Sequence, residues 1–174
     1  MQFFLTRPAQ LLGPMVLAAA LLAPCAAMAE PDMIYLVRHG EKATDSNDPS
    51  LTPQGRQRAQ NIASILHRAG IKTIFSTPTA RTLETAKPLS TSLSLPVQQY
   101  DAGKPEALVA RIKTLQGPVL VVGHSNTLPQ LVRLFGGAPG AEIGDNEYDR
   151  LYQLVNGTDG KVTTVLLTSL PATQ

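Results

Sequence analysis

Apolar residues fall along this chain in two alternating patterns. Met33-Ile34-Tyr35-Leu36-Val37 and Val119-Leu120-Val121-Val122 are short continuous apolar runs and predict buried strands, the first covered on both faces, and Thr73-Ile74-Phe75-Ser76 predicts the strand between them. Pro96–Tyr100 is a weaker strand. Between the runs the spacing becomes helical. Ala59, Ile62, Ile65, Leu66 and Ala69 share one face, with Thr52-Pro53 as N-cap and first helical residue and Gly70 as the stop. A second helix from about Thr79 carries Leu83, Ala86, Leu89 and Leu93, and Pro88 is expected to kink or end it. Pro105 opens a third helix, with Leu108, Ile112 and Leu115. Leu128, Leu131, Val132 and Phe135 mark a fourth. Leu151–Val155 and Val162–Leu167 predict two closing strands, joined through Asn156-Gly157 and Asp159-Gly160, the second at an edge. Alternating strands and helices imply an α/β domain: a three-layer α/β/α sandwich with a mostly parallel sheet and helices on both faces. No internal repeat, low-complexity tract or linker divides residues 30–174.

Residues 1–29 follow a different pattern. Their one charge is Arg7, Leu11–Ala23 is almost continuously apolar, and Ala27-Met28-Ala29 ends the stretch on a small-x-small step. This predicts a cleavable signal peptide over 1–29, a domain over 30–174, and a secreted, periplasmic protein with no stable membrane span after cleavage. A retained anchor fits less well, because a spanning helix needs about 20 apolar residues. Leu22-Ala23-Pro24-Cys25 leaves open a lipoprotein in which Cys25 is lipidated instead of removed.

Composition narrows the function classes. With 43% hydrophobic residues among 174, the chain can bury a core and is not a disordered segment. A net charge of +2 gives no basic field, which argues against nucleic acid as a partner. One cysteine excludes a disulfide framework within the chain.

The candidate chemistry lies where strands end, the place where open α/β sheets bind ligands. The first strand runs into Arg38-His39-Gly40-Glu41, and the Val119–Val122 strand into Gly123-His124-Ser125-Asn126. Arg81 follows the second strand, after Ser76-Thr77-Pro78, in the first turn of a helix. A cation is mildly disfavoured there by the helix dipole, so a bound anion would explain it. Two guanidiniums, two imidazoles and helix-start N–H groups suit one phosphate. His67, between polar and apolar helical positions, reads as a surface or boundary residue.

The ordered set of Arg38-His39-Gly40-Glu41, Arg81 after Ser76-Thr77-Pro78, and Gly123-His124 resembles the signature of the histidine phosphatase superfamily, the phosphoglycerate mutase-like fold. Leu51-Thr52-Pro53-Gln54-Gly55 before a helix, and Thr82-x-x-Thr85-Ala86, resemble it too. The resemblance implies that His39 is a nucleophile that becomes phosphohistidine, that Arg38, Arg81 and His124 bind the phosphoryl group, and that neither metal nor other cofactor is required. The usual Glu-centred acid motif of the family is absent after the third strand. Asp101 is the first choice of proton donor and Glu106 the second, although the helix dipole alone accounts for an acidic residue at 106. Glu41 and Asn126 are further candidates for substrate contact. Glu41 otherwise faces solvent, and Asn126 otherwise caps the following helix. The segment Glu147–Arg150 is a candidate rim.

The domain is short for this family. The Lys42–Ser50 loop and the Ala102–Pro105 turn are the expected rim, with little room for a lid. An open site suits hydrolysis, whereas a mutase must exclude water. The leading expectation is a phosphoric monoester hydrolase of the histidine acid phosphatase type, acting on a phosphorylated small molecule or envelope component. Alternatives are a phosphatase for a phosphohistidine protein or a phosphorylated envelope glycan, and an inactive phosphate-binding protein.

Overall fold

The computed structural model describes residues 30–172; the expected signal peptide, with Cys25, lies outside them. The elements in chain order are β1 (Met33–Arg38), α1 (Pro53–Leu66), β2 (Thr73–Ser76), α2 (Ala80–Leu93), β3 (Val97–Gln99), α3 (Pro105–Ile112), β4 (Val119–Gly123), α4 (Leu128–Leu134), β5 (Arg150–Asn156) and β6 (Val162–Thr168). They form one sheet of order β3-β2-β4-β1-β5-β6. β1 to β4 run parallel, while β5 and β6 run antiparallel and close one side, with β6 at the edge.

Alternate residues of the central strands feed two separate cores. Ile34 and Leu36 of β1, with Val119 and Val121 of β4, pack against Leu108, Ile112, Leu131 and Val132 of α3 and α4. Tyr35 and Val37, with Leu120 and Val122, pack against Ile62, Leu66, Ala86 and Leu89 of α1 and α2. Helices therefore cover both faces of a mostly parallel sheet, as the unbroken apolar runs require.

Three local features differ from the sequence expectation. α2 continues through Pro88 to Leu93 instead of ending there. Pro88 removes one backbone donor, but Ala86 and Leu89 are buried on either side of it, and packing against α1 outweighs the lost bond. α1 stops at Leu66, and Gly70 at φ +71° ends the turn after it. α3 stops at Ile112, yet Leu115 beyond its end still packs on the core.

The start of α1 is fitted closely to the loop after β1. Thr52 caps it by accepting from the Gly55 N–H at 3.1 Å. A Cβ on Gly40 would lie 2.7 Å from the Gly55 carbonyl oxygen, and one on Gly55 would collide with the Glu41 carbonyl. Only two facing glycines let these backbones touch. One turn later Arg58 is completely buried. Its Nε and Nη2 clamp the Glu41 carboxylate, the shortest contact 2.6 Å, and its Nη1 donates to the Ser169 carbonyl at 2.9 Å. This fork braces the β1–α1 loop from two sides.

Removing one partner of a buried, bonded pair costs about 3–5 kcal/mol, so Arg58→Ala should lower the stability of the fold by that amount in urea unfolding. A loss under about 1 kcal/mol, the scale of a solvated pair, would contradict the bracing role.

Candidate active site

The sheet topology brings the two histidine-bearing strand ends together. β1 and β4 are neighbours, although three helices and two strands separate them in sequence. In their parallel register Arg38 lies opposite Gly123, and the His39 N–H extends the ladder to the Gly123 carbonyl at 3.0 Å. His39 and His124, each one residue beyond that pair, meet edge to face with ring centroids 5.4 Å apart.

His39 is held in one tautomer. Its Nδ1 lies 2.8 Å from the Gly40 carbonyl oxygen. A carbonyl only accepts, so Nδ1 carries the proton and Nε2 keeps its lone pair. The Gly40 N–H in turn donates to the Thr85 hydroxyl at 2.9 Å, and that hydroxyl donates to the Arg81 carbonyl. Burial is the main reason that the His39 pKa falls from 6.5 to about 3. Arg38, His124 and Arg81 push the same way, against the Gly40 hydrogen bond. Burial, then Arg81 and Arg38, lowers His124 to about 4. Both rings are neutral at neutral pH. The Nε2 of His124 lies 2.9 Å from the Thr77 hydroxyl, which joins it to the turn before α2.

The two arginines approach from opposite sides. Arg38 is buried and donates through Nη1 to the carbonyls of Gly144 and Glu147 at 2.8 and 2.7 Å. Its guanidinium lies 4.0 Å from the centre of the Tyr148 ring, which is itself 5.9 Å from the His39 ring. The segment before β5 therefore forms one wall of the site. Arg81 sits in the first turn of α2, its Nη1 3.4 Å from Asp48. Asp48, in the Lys42–Ser50 loop, also accepts from the Ala80 N–H through both oxygens at 3.0 Å and caps α2 from a distance. Among the described residues, the buried side-chain polar atoms that lack a hydrogen-bond partner are Arg38 Nε and Arg81 Nε. Buried donors are ordinarily satisfied. That these two belong to the cations flanking the histidines suits an oxyanion between them.

The remaining expected site residues divide. Asp101 shares a groove of 460 Å³ with His124, Thr77 and Thr79. Its carboxylate accepts from the Gly103 N–H at 2.8 Å and pairs with Lys104 at 3.8 Å. Buried Tyr100 donates to the Val122 carbonyl at 3.3 Å and holds this segment against β4. Glu106 is exposed in the first turn of α3 and is not part of that groove. Glu41 is a correction: its carboxylate is taken up by Arg58 and Gln54, so it braces the loop and neither faces solvent freely nor offers itself to substrate. Asn126 is exposed in the turn before α4, and the N-cap of α4 is Thr127 instead. His67 is exposed and 2.8 Å from the Ser92 hydroxyl. Sequence reasoning missed Arg58 and Asp48. Arg58 falls on the apolar face of α1, between Gly55 and Ile62, and a cation in that position was the available signal. Asp48 gave none.

Residues 34–102 match the model of the "Histidine phosphatase superfamily (branch 1)", a stretch that contains Arg38, His39 and Arg81 but ends before His124. A 77-residue stretch is 34% identical to human 6-phosphofructo-2-kinase/fructose-2,6-bisphosphatase 4, covering 40% of this chain and 16% of that protein. The fold is similar to that of the protein histidine phosphatase SixA complexed with tungstate, with TM-score 0.63 and 21% identity over 79% of this chain and 96% of that one. It is also similar to a mycobacterial glucosyl-3-phosphoglycerate phosphatase with inorganic phosphate, with TM-score 0.60 and 16% identity over 79% and 96%.

The lowered histidine pKa values set a pH dependence. Histidines in the unfolded chain titrate near 6.5, so the unfolded state takes up protons first as the pH falls. Stability is then lost from about pH 6.5 down to about 4 for His124 and about 3 for His39. Near pH 4 His39 alone accounts for a loss on the order of 3 kcal/mol. Thermal unfolding followed from about pH 8 to 4 should show this loss, and His39→Gln should flatten it. An acid limb unchanged in that variant would refute the assignment.

Proposed function

Because residues 34–102 match the histidine phosphatase superfamily model, we propose that the chain is a member of that superfamily and hydrolyses phosphomonoesters without a metal, through a phosphohistidine on His39. The observation that carries this reading is the pair of unsatisfied buried Nε donors on Arg38 and Arg81, which flank a neutral, tautomer-fixed imidazole. Two guanidiniums supply charge for the equatorial phosphoryl oxygens, the role a metal would otherwise play. His39 Nε2 attacks phosphorus and the bond to the alcohol oxygen breaks. The Gly40 carbonyl, already bonded to Nδ1–H, stabilises the positive charge that develops on the ring. His124 donates to the phosphoryl group. The carboxyl of Asp101, in the groove beside His124, protonates the leaving alkoxide. Water entering by the same groove then attacks the phosphohistidine and gives its proton to Asp101. Inorganic phosphate leaves and His39 is restored.

The substrate in this reading is a phosphorylated small molecule or envelope component, met outside the cytoplasm after removal of residues 1–29. A second reading, hydrolysis of phosphohistidine on a protein, is favoured by the exposure of Pro78 and Asp101 along the groove, which leaves the approach to His124 open to a bulky group.

Rapid quenching during turnover, with EDTA present, should trap a phosphoenzyme that is alkali-stable and acid-labile. His39→Ala should abolish it and lower kcat by at least about 10³-fold, the scale set by loss of a covalent nucleophile. A fully active His39→Ala protein would overturn the mechanism.

A further inference from the structure

The threonines at the start of α2 bond to one another, and the Thr79 side chain does not cap the helix. Thr82 is completely buried, with four oxygens close to its hydroxyl: the hydroxyls of Thr77 at 2.9 Å and Thr79 at 2.8 Å, and the carbonyls of Thr77 and Thr79, both at 2.9 Å. A hydroxyl has one proton to give, and a carbonyl only accepts. The Thr82 proton therefore goes to the carbonyls, and its oxygen accepts from Thr77 and Thr79. Were that proton given to Thr77 instead, both carbonyl contacts would set oxygen against oxygen with no proton between them. Thr77, also buried, thus spends its own proton on Thr82. Toward the Nε2 of His124, 2.9 Å away, it has a lone pair to offer, so that nitrogen carries the proton. The His124 backbone is held separately: its N–H donates to the Thr127 hydroxyl at 3.1 Å. What Thr77 fixes is the ring.

We propose that the Thr82–Thr77 hydroxyl relay is a positioning device that keeps His124 in its Nε2–H tautomer, opposite to the Nδ1–H tautomer of His39. Its functional consequence rests on the phosphatase reading above; the tautomer itself does not. His39 needs a lone pair at Nε2 to attack phosphorus, and His124 needs a proton at Nε2 to hold a phosphoryl oxygen. The rings are 5.4 Å apart and both neutral at neutral pH. Their roles are told apart by the group each is bonded to, a carbonyl for His39 and a hydroxyl with a committed proton for His124. A phosphoryl oxygen then takes over, or shares, a proton already in place. α2 serves both rings. Thr85, one turn after Thr82 on the same helix face, accepts from the Gly40 N–H beside His39.

Nitrogen NMR at neutral pH, on protein carrying isotope-labelled histidine, tests this without turnover. The signals are assigned by replacing His67 and His39 in turn with Gln. In the wild-type protein His124 should show a protonated Nε2 and a bare Nδ1, and His39 the reverse. Thr82→Val keeps the side-chain volume but removes the acceptor for the Thr77 proton. Thr77 is then free to donate to His124 Nε2, so the Nδ1–H tautomer should appear at His124. The His39 pattern should stay and reports that the site is folded. Thr82→Ser keeps the hydroxyl and should keep the wild-type pattern, whereas a role in packing alone would make valine the milder change. For p-nitrophenyl phosphate, kcat of Thr82→Val should fall roughly tenfold, the population change worth one hydrogen bond, and Thr82→Ser should recover most of it. A wild-type His124 protonated at Nδ1 would overturn the inference, and it decides the matter even if Thr82→Val does not fold. An unchanged His124 pattern in folded Thr82→Val would overturn it too. The expected tautomers in a wild-type protein inert toward phosphomonoesters would overturn the phosphatase reading and uphold the relay.

Discussion

The site depends on the parallel register of β1 against β4. Arg38 opposite Gly123 places His39 beside His124. A slip of one residue would swap the faces of every side chain in β1. Both faces are apolar, so alternation alone resists such a slip weakly. The strand ends hold the register instead. The His39 N–H needs the Gly123 carbonyl, and Gly123 has no room for a side chain: a Cβ there would lie 2.9 Å from the Tyr100 hydroxyl oxygen and 3.2 Å from that of Thr127. The close fit of β4 to the neighbouring side chains thereby fixes the separation of the two imidazoles.

Arg38 and Arg58 are both buried, and their bonding distinguishes their roles. Arg58 has acceptors for all three of its nitrogens in Glu41 and Ser169, so it is a finished structural joint. Arg38 spends Nη1 on two carbonyls and its face on Tyr148, while Nε stays unsatisfied. Leaving a buried donor unmade costs about 1–3 kcal/mol. The fold tolerates that cost twice, at Arg38 and Arg81, beside the same two histidines. Arg58 is satisfied by the chain, whereas Arg38 and Arg81 each keep a donor in reserve.

Much of this was legible in the sequence. Strands buried on both faces leave continuous apolar runs, and helices on a sheet leave one apolar stripe, so the α/β architecture followed from periodicity. Arg38, His39 and His124 stood out because polar residues directly after buried runs are conspicuous. Contacts between segments distant in sequence were illegible. Asp48 reaches α2 from a polar loop 33 residues upstream and looks like any solvated acid. Glu41 appeared available to substrate because its partner, Arg58, lies in a helix whose other buried positions are apolar or glycine. The passage of α2 through Pro88 was hidden for the same reason: local propensity opposes it, and only packing on α1 decides.

Ser169 lies just past the edge strand β6, yet it accepts from Arg58 and bonds to the Asp149 carbonyl next to Tyr148. The outermost strand is thus tethered at one point to the loop behind His39 and to the wall beside Arg38. Fraying at a sheet edge is normally a local matter with a small free-energy cost. Here it takes two acceptors from a buried guanidinium and loosens both sides of the site together. The persistence of the competent geometry is bounded by how long the last strand stays docked, so the rim of the sheet sets the lifetime of its centre.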